Sequence, residues 1–210
     1  MSSATTSTTG FDVRYRTIDL VTITTLGVAF GVIFWGWGKL YEPLSGLAVF
    51  SYPPSSALLG GVWLSAGVVG GLIVRKPGAA FATEFIAATV SVFIIGGTQW
   101  GFSVFASGFW QGLGAELIFL AFFASRLSFR RWGVVVAVLA GALAGALESF
   151  YEWSAYIPDY SMGAKLAHLG FFMLSGAVIA GVGGFALVKA LARAGVLDAF
   201  PVGREQTVEV

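Results

Sequence analysis

The 210-residue chain has no cysteine and a single histidine, His168. A disulfide framework, a thiolate metal site and a cysteine nucleophile are therefore excluded. So are a bis-histidine haem within one chain and a histidine-rich metal centre. Charge is scarce as well: Asp, Glu, Lys and Arg make up 11% of the residues, against about 25% in an ordinary soluble domain. The net charge of +1 points to no polyanionic partner, and nucleic acid is not expected. There is no Gly-x-x-x-x-Gly-Lys-Ser/Thr phosphate loop, no Gly-x-Ser-x-Gly elbow and no metal-ligand pair, so this chain has no P-loop route to ATP hydrolysis. No catalytic set, metal or cofactor is implied. What fills the chain instead is apolar: 57% of residues are hydrophobic, with 29 glycines, 19 phenylalanines and 7 tryptophans. A soluble domain of this length cannot hide so much apolar surface, so the solvent is a bilayer.

Apolar segments fall at about 17–38, 57–74, 78–96, 102–124, 132–152 and 166–190. Each is long enough to cross a hydrocarbon core about 30 Å thick as a helix. The breaks are chemically marked by Pro53-Pro54, Arg75-Lys76-Pro77-Gly78, Gly96-Gly97, Arg126 to Arg131 and Pro158-Asp159. The expected fold is an all-α integral membrane protein with six transmembrane helices over 14–193. A Ser/Thr-rich disordered tail (1–13) precedes them, without the basic region of a signal peptide, and a short tail (194–210) follows. Segments two and three, joined by a very tight turn, should be antiparallel neighbours. Of the 12 Lys and Arg residues, only Lys39 and Lys165 fall on the side away from the termini. This positive-inside asymmetry places both termini in the cytoplasm and the protein in the cell membrane.

Small residues recur four apart: Gly27 and Gly31, Gly67 and Gly71, Gly141 and Gly145, then Gly176, Ala180 and Gly184. Such spacing lets backbones approach closely in lipid. It serves either packing within the chain or docking of another membrane subunit, and the first helix is the best candidate for docking.

Four carboxylates, Glu84, Glu116, Glu148 and Glu152, lie inside segments or at their ends. An ionised carboxylate there costs about 2.5–3.5 kcal/mol on insertion scales, which makes each a candidate functional group. Glu84 and Glu116 come to similar depth near the cytoplasmic side and would share a proton if adjacent. Glu148 and Glu152, four apart, stack on one helix face near its outer end. Aromatic residues crowd the outer ends, among them Trp37, Tyr41, Trp100, Tyr151 and Tyr156, whereas an interfacial belt alone decorates both faces. Aromatic faces beside carboxylates suit a flat, cationic, nitrogen-rich ligand, through cation–π attraction of about 0.5–2 kcal/mol each. Gln99, Gln111 and His168 add hydrogen-bonding groups.

Several strings carry a further signal: Arg-Lys-Pro-Gly-Ala-Ala at 75–80 followed by Glu84, Thr98-Gln99-Trp100-Gly101, the run from Trp110 to Glu116, and Leu191 to Leu197. Together they resemble the YkoE-type S components of energy-coupling-factor (ECF) vitamin transporters, over nearly the whole chain from Arg14 to about Phe200. The resemblance implies a six-helix subunit that captures thiamine or its hydroxymethylpyrimidine precursor from outside. Release would be driven by a transmembrane T component and two ATPase domains. It places Glu84, Gln99, Trp100, Gln111 and Glu116 at the ligand; Trp37, Tyr41, Glu148, Glu152 and His168 join them by position and chemistry. It also implies that Gly27, Ala29 and Gly31 form the contact with the T component, and that the loop 39–56 covers the site. The competing expectation is a stand-alone secondary transporter, coupled to protons through Glu84 and Glu116, for a small cationic or heteroaromatic solute. An intramembrane enzyme finds little support in a chain with one histidine and no recognisable nucleophile.

Overall fold

The computed structural model describes residues 14–124 and 133–207. The elements are helical throughout: α1 (Thr17–Ser45), two 3₁₀ segments (Ala48–Phe50 and Pro53–Leu64), α2 (Ser65–Val74), α3 (Ala79–Phe93) and a 3₁₀ turn (Gly101–Ser103). Then come α4 (Val104–Ala124), α5 (Val134–Ala155), α6 (Met162–Ser175), a π-helical stretch (Gly176–Gly183), α7 (Gly184–Arg193) and α8 (Pro201–Thr207). Among the described residues, five helical stretches are long and apolar enough to cross a membrane. The sixth, α3, has 15 residues and is shorter. The expected tail at 1–13 lies outside the described residues, as do the loop arginines 126, 130 and 131.

The apolar segments are where hydropathy puts them, but their ends differ. α1 runs on to Ser45 and stops where the Gly46 N–H turns back to the Glu42 carbonyl, just past Pro43. Hydropathy drops near Gly36, yet nothing there breaks a helix, so α1 projects beyond its apolar part with Trp37 and Tyr41 on it. The last crossing is one stack of α6, the π stretch and α7 over Met162–Arg193. The second crossing is irregular: its first half is a 12-residue 3₁₀ helix, far beyond the usual three or four residues. Ser175 supports it, accepting the Gly61 N–H at 2.8 Å and donating to the Leu58 carbonyl.

Packing uses the glycines within the chain. A Cβ on Gly27 would lie 2.5 Å from Ile86 of α3, and one on Gly31 2.5 Å from Val90. The surface expected to dock a partner at Gly27 and Gly31 is thus already taken by α3, while Ala29 is exposed on the other side of α1. Gly141 and Gly176 bring α5 and the π stretch into backbone contact, and Gly114 does the same for α4 on Ala144. Without a hydrophobic drive between helices in lipid, such close van der Waals approach is a main source of cohesion.

At the end where α1 begins and α8 lies, Asp19 is fully buried and binds Arg16 at 2.8 Å and Lys76 at 2.6 Å. The stretch after 194 packs back on this end. Leu197 and Phe200 are buried, and Glu205 of α8 meets Arg75 at 2.7 Å. We call this the basic end. The α2–α3 turn at this end has Arg75 (φ 51°) and Gly78 (φ 88°) in the left-handed region, which lets α3 fold back against α2 as expected.

Candidate binding pocket

Toward the opposite end a small cavity opens between α1, the 3₁₀ segment, α3, α4, α5 and α6. Its polar lining is Ser91, Thr98, Ser107, Gln111, Glu148 and Glu152; its apolar lining includes Phe34, Trp63, Trp100, Val104, Tyr156 and Phe172.

The irregular second crossing builds the inner wall. Where the 3₁₀ segment passes into α2, the Gly67 N–H donates to Glu84 Oε2 at 2.6 Å. The Gln111 amide takes its orientation from its partners: its nitrogen donates to Glu84 Oε1 at 3.2 Å and to the Trp63 carbonyl at 3.1 Å. Glu84 therefore lies behind the lining and holds Gln111, which faces the cavity.

On α5, Glu148 and Glu152 stand one turn apart and both face the cavity. Glu148 is 1% exposed, and its Oε2 has no hydrogen-bond partner. Buried polar atoms are nearly always paired, and Glu148 presents to the cavity an acceptor that no protein donor fills. Thr98 Oγ1 is a second such atom. Glu152 is held from behind by His168 Nε2 at 3.1 Å, and His168 Nδ1 lies 2.8 Å from Ser149 Oγ. If the serine hydroxyl donates to Nδ1, the ring proton sits on Nε2 and points at Glu152. Ser149 is 0% exposed, so this Ser–His–Glu chain orients a carboxylate rather than presenting a nucleophile.

The roof is aromatic. Trp63 packs edge-on to Trp100 with ring centroids 5.1 Å apart, and Tyr41 covers both, at 5.3 Å and 5.5 Å. Trp37 abuts Trp63 at 6.5 Å and anchors its indole N–H on the Leu59 carbonyl.

Comparison with known proteins places this architecture. A family model described as the permease component of ABC-type cobalt transport systems matches residues 18–147. YkoE of Bacillus subtilis strain 168, a candidate HMP/thiamine permease by name, is 31% identical over 197 residues, which cover 91% of this chain and 92% of that protein. The crystal structure of an S component of an ECF transporter superposes with a TM-score of 0.82 at 29% identity, over 93% of this chain and 95% of that one. The chain belongs to the ECF S components. It is a multi-pass membrane transport protein and not an enzyme.

Within this S component the sequence-derived site residues separate into three groups. Trp100, Gln111, Glu148 and Glu152 line the cavity. Trp37, Tyr41, Glu84 and His168 stand one layer back, each touching a lining residue. Gln99 and Glu116 are elsewhere. Gln99 is exposed while its neighbour Thr98 faces inward. The turn here uses positive φ at Gly96, Gly97 and Gly101, and which neighbour it directs inward is not readable from residue type. Glu116 sits at the basic end, one turn further along α4 than Gln111. There it accepts the backbone N–H groups of Gly78, Ala80 and Phe81, at 2.5, 3.0 and 3.2 Å. These are the free donors that open α3, and a carboxylate is the favoured group there. Glu84 and Glu116 thus have separate partners and form no shared-proton pair.

Glu116→Ala should therefore leave ligand affinity within about twofold and lower the unfolding free energy by about 2–3 kcal/mol, read as a lower melting temperature in detergent. A loss of affinity at unchanged stability would place Glu116 back at the ligand.

The sequence reading missed Trp63, Thr98, Ser107 and Phe172. Trp63 had a signal: a tryptophan in mid-segment needs a partner for its N–H, and finds it in the Phe34 carbonyl at 3.2 Å. Phe172 carried none beyond its apolarity.

Proposed function

We propose that this S component captures thiamine or its hydroxymethylpyrimidine precursor in the cavity between Glu148, Glu152, Trp63 and Trp100. The observation that carries the reading is the buried, unpaired Glu148 Oε2 beneath an aromatic roof. An aminopyrimidine offers the N–H donors such an oxygen lacks, and its flat ring suits indole and phenol faces. The name of the Bacillus subtilis relative points to the same ligands. The cobalt in the family description finds no matching ligand set, since among the described residues no three His, Asp or Glu side chains group as a metal site.

The basic end faces the cytoplasm under the positive-inside rule, which gives cytoplasmic N and C termini and a cavity that opens outward. α3 is the third of six crossings, short for the bilayer at about 22 Å, with the Gly96-Gly97 turn completing it. As an ECF S component, it works in uptake with a transmembrane T component and two ATPase domains. The exposed side of α1 around Ala29, with Val28, Val32 and Ile33, is the docking face offered to the T component in place of Gly27 and Gly31.

Titration of the detergent-purified chain with thiamine and, separately, hydroxymethylpyrimidine tests the reading, because Trp63 and Trp100 report on the cavity. Saturable fluorescence quenching at submicromolar ligand is expected for at least one. Folded protein that responds to neither ligand would refute the substrate assignment.

A further inference from the structure

The cavity lining has two carboxyl groups and no basic side chain. Glu148 lies at its floor and Glu152 one turn nearer the rim, and no Lys, Arg or His stands among the lining residues. The two lysines at this end are turned to backbone carbonyls: Lys39 Nζ lies 3.3 and 3.2 Å from the Gly96 and Gly97 oxygens, and Lys165 Nζ 2.9 Å from that of Pro158. His168 spends its Nε2 on Glu152. The helix N-terminus nearest the cavity, that of α4, follows a 3₁₀ turn in which the Val104 N–H is already used on the Gly101 and Phe102 carbonyls. The groups by which proteins offset a phosphate's charge include a guanidinium fork, a lysine point charge and free N-terminal amides. None of them faces this cavity among the described residues.

We propose that the site admits amine and quaternary-nitrogen cations, and their neutral aminoheteroaromatic congeners, and rejects the phosphate esters of the same rings. This rests on the reading that the cavity is the capture site, and it names the charge class of that site's ligand. A phosphate ester brings about 1.5–2 negative charges next to Glu152, in a cavity with no Lys or Arg among its lining residues. Substrate must therefore arrive with its phosphate already removed, by a phosphatase-class reaction outside the cell. Any phosphorylated form needed inside must be made after uptake, by a kinase-class reaction.

The test is a quenching titration of the full-length protein with thiamine, thiamine monophosphate and thiamine diphosphate. Affinity for either phosphate ester should be at least 100-fold weaker than for thiamine, and affinities within threefold would overturn the proposal. Glu152→Gln should shrink the thiamine-to-monophosphate ratio at least tenfold, because it removes the nearer negative charge and keeps the shape. A general loosening of the fold would weaken both ligands and leave their ratio unchanged, and that result would remove the discrimination from Glu152. If neither thiamine nor hydroxymethylpyrimidine binds, the substrate reading fails on its own. Pyridoxamine and pyridoxamine phosphate then make the same comparison by thermal shift, and stabilisation by the phosphate ester alone would overturn the proposal.

Discussion

Glu148→Gln should weaken ligand binding about 30- to 150-fold and at the same time raise the melting temperature of the ligand-free protein. The first effect follows from losing an acceptor oxygen and leaving a ligand N–H unpaired in the cavity, about 2–3 kcal/mol, at a side chain that is 1% exposed and has an oxygen free for a ligand donor. The second follows from the same geometry without ligand. A buried carboxylate oxygen with no partner is costly, and a neutral amide of the same shape costs less. Relief of about 1 kcal/mol corresponds to a rise of about 2–4 °C for a chain of this size. Opposed changes in affinity and stability are the mark of a site strained for function. Two measurements check this: the titration described above, and thermal unfolding in the same detergent. A variant that binds normally would remove Glu148 from the ligand site. A variant that both binds worse and melts lower would make Glu148 a structural residue.

Gly141→Ala should abolish the folded protein, although it adds a single methyl group. The new Cβ would fall onto the Gly176 carbonyl oxygen, with the Gly176 carbonyl carbon at 2.7 Å and the Gly181 nitrogen at 3.1 Å. All three are backbone atoms, so no side chain can swing aside. α5 would have to separate from the last crossing, on which it packs through Gly141, Gly145 and Gly181. Overpacking usually costs about 1–3 kcal/mol where side chains yield; where backbone meets backbone the cost exceeds that range and consumes much of a marginal stability of about 5–15 kcal/mol. Gly36→Ala is the matched control, since a Cβ there meets nothing within 4 Å. Size-exclusion profiles of detergent extracts should show a monodisperse peak for Gly36→Ala and aggregate for Gly141→Ala. A normal profile for Gly141→Ala would mean that the two helices sit further apart than described.

The division of the four carboxylates shows what a one-dimensional reading can resolve. All four are visible in the sequence as charges in apolar surroundings, and that cost is a property of residue type and depth alone. Their roles are not visible. Glu116 and Gln111 lie on the same helix a little over one turn apart, yet one closes the start of α3 and the other faces the cavity. Glu84 looks like a ligand residue by position, but the change from 3₁₀ to α-helix near Leu64 presents the Gly67 N–H to it. Apolar periodicity reads a helix here and cannot tell 3₁₀ from α. The glycines teach the same lesson: spacing of four marks a close contact on one face of α1 but not the contact's partner, and the partner of Gly27 and Gly31 is α3.

The sequence by itself determined the solvent, the number and order of the apolar segments, the asymmetry of basic charge and the presence of misplaced carboxylates. All of these are sums of local properties, and 57% hydrophobic residues with 11% charged ones leave no other solution. Only the tertiary structure decided which carboxylates face the cavity, that Thr98 and not Gln99 turns inward, and that Trp63 forms the roof. Each of these depends on the rotation of a helix about its own axis, or on a local break in its geometry. In a membrane, where lipid is as apolar as the core, hydrophobicity does not set that rotation; contact with neighbours distant in the chain does.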